Sequence, residues 1–221
     1  MAADIGTSVY NTIKSVTAGI SQVSDANSLT DETTASPSQK NMPLFSADEI
    51  KQALSAGDIT NISVSTPSVS SLTVKGTLPA PANQKAVLDN KGLKLANFVT
   101  CTNNSLTVIL SPATIRDLAA SLPEESKSYL DLLMAPVFTG EQMSASEYED
   151  LVAAVYGDNM KQELASGSVK ITLVTPAGVM LKKSSIGDGK NVKTSSDRAV
   201  FTVPLTEFLT LQSAQTFSIS W

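Results

Sequence analysis

The sequence reads as an α+β fold, with antiparallel sheet flanked by amphipathic helices. Runs rich in Val, Ile and Thr are separated by intervals too short for helical crossovers, which favours antiparallel pairing over βαβ units. Between them lie stretches whose apolar residues recur every three or four positions, the helical period. With 221 residues and 42% hydrophobic content, the chain can bury a real core.

The elements follow in order. In "ADIGTSVYNTIKSVTAGISQV", Ile5, Val9, Ile13, Val16, Ile20 and Val23 line one side of a helix whose other side is mostly Ser, Thr, Asn and Gly. Residues 1–23 are therefore expected to form an amphipathic N-terminal helix. Apolar residues nearly vanish over residues 24–43, "SDANSLTDETTASPSQKNMP", which predicts a flexible linker. Residues 44–221 are expected to fold as a single α+β domain. It opens on a helix capped by Ser46 and Glu49, with Ile50 and Leu54 inward and Gly57 as its stop. Strands are expected at Ile59 to Ser65, Val69 to Thr77, Leu93 to Thr100 and Leu106 to Leu110, paired as an antiparallel meander.

Ser111 and Pro112 suit the N-cap and first turn of a helix running to Ser121. In the next helical stretch Tyr129, Leu130, Leu133, Met134 and Val137 share a face, and Pro136 should interrupt its end. A third stretch carries Tyr148, Leu151, Val152, Val155 and Tyr156 as a dense stripe between a Ser144/Glu147 capping pair and Gly157. A short helix from Asn159 to Ala165 ends near Gly167. "SVKITLVTPAGVMLKK" reads as a hairpin turning at Thr175 to Gly178, and "IGDGKNVKTSSDR" as an exposed loop. "AVFTVPLTEFLTLQ" is a strand entering a helix at Pro204, and "TFSISW" alternates Phe217, Ile219 and Trp221 as a half-buried final strand.

Lys51 to Pro67 and Lys161 to Pro176 resemble each other about half a chain apart, the trace an internal duplication would leave. Shared Ser- and Thr-rich composition is the simpler account.

Charge and composition exclude much. The net charge of −5 leaves no basic surface dense enough for nucleic acid. The balance is uneven: Asp117 to Asp158 is strongly acidic, whereas Lys161 to Arg198 is basic. Histidine is absent and Cys101 is the one cysteine, so no internal disulfide, His/Cys zinc site or histidine acid–base chemistry is available. No phosphate-binding, dinucleotide or nucleophile-elbow motif occurs. Glu124, Glu125, Glu147, Glu149 and Asp150 stand beside helix starts, where carboxylates favour the positive end of the helix dipole. Cys101 reads as a small core residue, and the Gly187 to Gly189 "GDG" as a tight turn. No catalytic residue, metal or cofactor is expected.

No apolar run is long enough to span a bilayer, and no secretory signal opens the chain. "MAADIG" reads as an initiator methionine before a mature sequence whose leader has been cut away. If all six N-terminal stripe residues were buried, each would contribute about 1.5–3 kcal/mol. Ordering some 20 residues costs about as much or more. That helix should therefore form only where an apolar surface receives it: the body, a partner groove or a bilayer.

The opening stripe, the Ser/Thr-rich linker and the block "LPEESKSYLDLLMAPVFTGEQMSASEYEDLVAAVYG" between strand groups together resemble the treponemal (spirochaetal) outer-membrane-associated lipoproteins. The resemblance implies a mixed helix and sheet body with amphipathic helices, anchored by acyl chains in the periplasmic leaflet of the outer membrane and able to insert and permeabilise it. No cysteine lies near the N-terminus to accept lipid, which implies that the lipidated residue left with the leader.

The expected function is non-enzymatic: insertion of amphipathic helices into that leaflet, with membrane lipid as partner and an apolar ligand as a second one. The membrane-contact positions would be Ile5, Val9, Ile13, Val16, Ile20 and Val23, with Tyr148, Leu151, Val152, Val155 and Tyr156. Lys182 and Lys183 would meet headgroups. The alternative is a periplasmic or surface binding module whose N-terminal helix docks in a partner's groove.

Overall fold

The computed structural model describes residues 2–4, 47–55, 59–68, 71–78, 98–120, 127, 131, 133–186 and 191–221. In chain order the elements are β1 (Ala2–Asp4), α1 (Ala47–Ser55), β2 (Thr60–Ser68), β3 (Ser71–Thr77), β4 (Val99–Cys101) and β5 (Ser105–Leu110). Next come the helices α2 (Pro112–Ala119), α3 (Ala135–Thr139), α4 (Ala145–Tyr156) and α5 (Asp158–Ser166). The chain closes with β6 (Ser168–Val174), β7 (Lys183–Ile186), β8 (Val192–Thr194), β9 (Arg198–Pro204), α6 (Leu205–Leu209) and β10 (Gln215–Ser220). The fold is α+β, and every strand pair is antiparallel.

Among the described residues, two sheets organise the body. One has the order β2-β3-β1-β6-β9-β8 and the other β4-β5-β10-β7. Alternation along each strand fixes what is buried. Val169, Ile171 and Leu173 of β6 and Ala199, Phe201 and Val203 of β9 point inward. Leu106, Val108 and Leu110 of β5 and Phe217 and Ile219 of β10 do the same from the second sheet. The two sheets meet where the Phe201 and Phe217 rings pack edge to face, 5.5 Å between centroids. Helices α4, α5 and α6 pack on one another and add Tyr148, Val152, Met160, Leu164, Leu205 and Leu209 to the same core.

Local chemistry explains the helix boundaries. The Ser111 hydroxyl accepts from the Thr114 N–H at 3.1 Å while the Thr114 hydroxyl accepts from the Ser111 N–H at 2.8 Å, so the start of α2 is reciprocally capped. Ser144 and Glu147 form the expected capping box on α4, and backbone and side-chain donation from Ser144 holds the Glu147 carboxyl below its ordinary range. Pro136 differs from expectation. It lies in the first turn of α3, where a missing N–H costs nothing, and so begins a helix rather than breaking one.

Four pairings depart from the sequence reading. Ala2–Asp4, expected as the first residues of the N-terminal helix, form the strand that joins β3 to β6. None of the three is a stripe residue, and a ladder on both sides satisfies their backbone groups. The stripe itself, Ile5 to Val23, and the 24–43 linker lie outside the described residues, as do Ser46 and Tyr129. The expected meander divides, with β2 and β3 in one sheet and β4 and β5 in the other. The turn after β6 forms, but the chain does not return along β6, because β1 and β9 already occupy both of its edges. It crosses instead to the second sheet, where β7 pairs with β10. Finally, the expected 186–198 loop contains β8, paired with β9.

The strand partners of the two similar segments do not correspond. Among the described residues, β2 is an edge strand beside β3, whereas β6 is interior, and the strands that run into α2 and α6 belong to different sheets.

Candidate membrane-contact surfaces

Among the described residues, five large apolar side chains stand out to solvent: Leu151, Val155, Tyr156, Val174 and Met180. Three of them lie on α4. At about 100° per residue, its five apolar positions span an arc of about 140°. The arc is too wide for one contact. Tyr148 and Val152, at its centre, are buried, and the Tyr148 hydroxyl donates to the Leu133 carbonyl at 2.9 Å. Leu151 and Val155 on one margin are 50% and 63% exposed, and Tyr156 on the other is 44% exposed. The expected single stripe is thus two sets with different roles: an anchor to the body and apolar edges left to solvent. Burial, with a smaller contribution from Tyr156, pushes the Tyr148 hydroxyl up to about 12.

The other two belong to the turn between β6 and β7. Val174 is 47% exposed and Met180 71%, and Pro176 and Ala177 between them are exposed as well. The turn closes by donation from the Val179 N–H to the Pro176 carbonyl at 3.0 Å, with Gly178 at φ +79°. Its base is pinned by Thr175, which is buried. Thr175 donates its N–H to the Asp197 carbonyl at 2.8 Å and its hydroxyl to the Val179 carbonyl at 2.6 Å. Leu181 N–H adds a bond to the Ser196 carbonyl at 2.8 Å. Beside this base Arg198 grips the Asp197 carboxylate with two nitrogens, at 2.9 and 2.7 Å, and Ser195 donates to the same group. The Arg198 contact, with help from Ser195, holds the Asp197 carboxyl down at about 2. The exposed apolar tip is therefore carried on a strongly hydrogen-bonded frame.

Charge separates the two surfaces. On α4 and α5 the acids Glu147, Glu149, Asp150, Asp158 and Glu163 outnumber the one base, Lys161, which pairs with Asp150. The turn has the opposite setting. Lys182 and Lys183 follow it, both exposed, and Lys193 and Arg198 stand on the neighbouring strands. On β6 the outward positions are Lys170, Thr172 and Val174, and register sets Arg198 beside Val174.

The sequence-derived contact residues thus fall into three groups. Ile5, Val9, Ile13, Val16, Ile20 and Val23 lie outside the described residues. Of the α4 set, Leu151, Val155 and Tyr156 are available to a partner in this state, whereas Tyr148 and Val152 are committed to the core. Lys182 and Lys183 are exposed, and the backbone of Lys182 is tied to the Ser220 carbonyl at 2.8 Å. Cys101, expected in the core, is half-buried at the end of β4 and packs against the core.

The apolar tip was absent from the sequence reading. A signal for it existed in "PAGVML": turns are normally built from polar residues, and this one has no polar side chain before two lysines. Among the described residues, no helix is long and apolar enough to cross a membrane, and no group of three or more His, Cys, Asp or Glu could hold a metal. In comparisons with known proteins the chain matches no family model, no curated protein and no solved structure.

Proposed function

We propose that the protein is a non-enzymatic, membrane-associated protein that acts at the periplasmic leaflet of a bacterial outer membrane and perturbs that leaflet by inserting amphipathic helices. The observation that supports this reading best is α4, attached to the body through Tyr148 and Val152 while Leu151, Val155 and Tyr156 remain outside. A helix of this kind can give its margins to lipid without unfolding the core, and its centre only after release from the body. Its surroundings are acidic, so its insertion relies on apolar burial and not on attraction to anionic headgroups. An apolar ligand held under the released helix is compatible with the same motion.

Flotation of the full chain with liposomes, together with release of an entrapped dye, tests the reading. The expected result is co-flotation and release on phosphatidylcholine vesicles, with little loss on adding salt. If the protein stays in the aqueous fraction on zwitterionic and anionic vesicles alike, and no dye escapes, the reading fails.

A further inference from the structure

We propose that the turn between β6 and β7 is a docking tip for an anionic phospholipid surface: Val174, Pro176 and Met180 enter the acyl boundary while Lys182, Lys183 and Lys193 meet the lipid phosphates. The inference rests on the membrane reading above and adds to it a separate first contact, distinct from the helices in place, chemistry and salt response.

Three observations converge on it. The first is exposure without disorder of purpose: Met180 is 71% exposed, yet the turn that presents it is closed by the Val179 to Pro176 bond and rooted in the buried Thr175. A side chain so presented loses little further freedom on entering an apolar phase. The second is composition. Pro176, Ala177, Gly178, Val179 and Met180 contain no polar side chain, so water is exchanged for acyl chain without stranding a hydrogen-bonding group of those side chains. The third is charge. Lys182 and Lys183 follow the tip directly, and Lys193 lies on β8 opposite Val200, in the same outward row as Thr172.

The groups facing the tip from its neighbours are Ser195, Ser196, Asp197 and Arg198. The acid among them, Asp197, is held by Arg198. That end of the sheet is therefore cationic on a chain whose net charge is −5. An anionic bilayer would attract this end and repel the α4–α5 side, and the body would meet the surface with the tip leading.

A zwitterionic surface supplies the apolar half of this interaction alone, and a soluble polyanion supplies the charged half alone. Each basic residue near an anionic surface gives about a fivefold gain in affinity. The double variant Lys182→Glu/Lys183→Glu is therefore expected to weaken binding to phosphatidylglycerol-containing vesicles by at least about tenfold. Binding to pure phosphatidylcholine should be nearly unchanged. Met180→Asp should weaken binding to the anionic vesicles too. Because residue 180 is already in solvent, its thermal unfolding should match that of the wild type.

Co-sedimentation with the two vesicle types, at low and high salt, reads these effects directly. The expected pattern is anionic binding that falls steeply with salt and falls further in both variants. If the wild type binds anionic vesicles and both variants bind as well as it does, the tip is refuted while the helix reading stands. If the wild type binds neither vesicle, both fall together. A Met180→Asp protein that loses a concentration-dependent dimer while keeping full lipid binding would make the tip a self-contact, and would also overturn the proposal.

Discussion

Phe201→Ala is expected to lower stability by about 3–5 kcal/mol, read as a fall in the urea midpoint without a change in its slope. The side chain is fully buried, and its ring meets Phe217 edge to face across the two sheets. Truncation removes apolar burial from the β9 side and leaves a cavity against β10 that close-packed neighbours fill only in part. Domains of ordinary stability hold about 5–15 kcal/mol in total, so the variant should unfold with a Tm lower on the order of 10 °C. Phe217→Ala should do nearly the same. The double variant should cost less than the sum, because the pair itself contributes about 0.5–1.5 kcal/mol. Strict additivity would mean that the sheets are not coupled through these rings.

Tyr148→Ala is the second large effect, at about 3–5 kcal/mol, and it also separates stability from membrane action. This residue holds the centre of α4 to the body by burial and by its bond to the Leu133 carbonyl. Tyr148→Phe keeps the ring and strands a buried carbonyl, at about 1–3 kcal/mol. Under conditions where both proteins are still folded, the Ala variant should release entrapped dye faster than the wild type, since the helix is easier to free. Equal rates would mean that α4 is not released during insertion.

A pH dependence follows from the same hydroxyl. Its folded pKa of about 12 lies above the ordinary value of 10.0, so the unfolded chain loses this proton first. The contribution is complete below pH 10 and is lost as pH rises toward 12. Denaturant midpoints measured across that window should decline more for the wild type than for Tyr148→Phe.

What the sequence made legible was local. Alternation in "TFSISW" located β10, with Phe217 and Ile219 inward, and the Ser144/Glu147 pair marked the start of α4. Both follow from contacts within a few residues. Partner choice was not legible. Alternation says which side of a strand is buried and is silent on which strand lies beside it, so β4 and β5 could not be assigned to a sheet apart from β2 and β3. Three residues are too few for any alternation, which hid the strand Ala2–Asp4 within a helical pattern.

The contact surfaces follow the same division. Periodicity located the apolar arc of α4, but only the packing of α5 and α6 against it decided that Tyr148 and Val152 would be covered and Val155 left out. Lys182 and Lys183 were visible as a cationic pair. The tip they follow required knowing that β6 had no open edge for a returning strand, so that its turn stands at the rim with Met180 in solvent.

Hydrogen exchange of the full chain, with and without anionic vesicles, tests the membrane reading most directly. Slowed exchange over residues 174–183, with changed exchange across α4 at residues 145–156, is the expected result. Identical exchange in both regions, in a preparation where the vesicles are in excess, would contradict it.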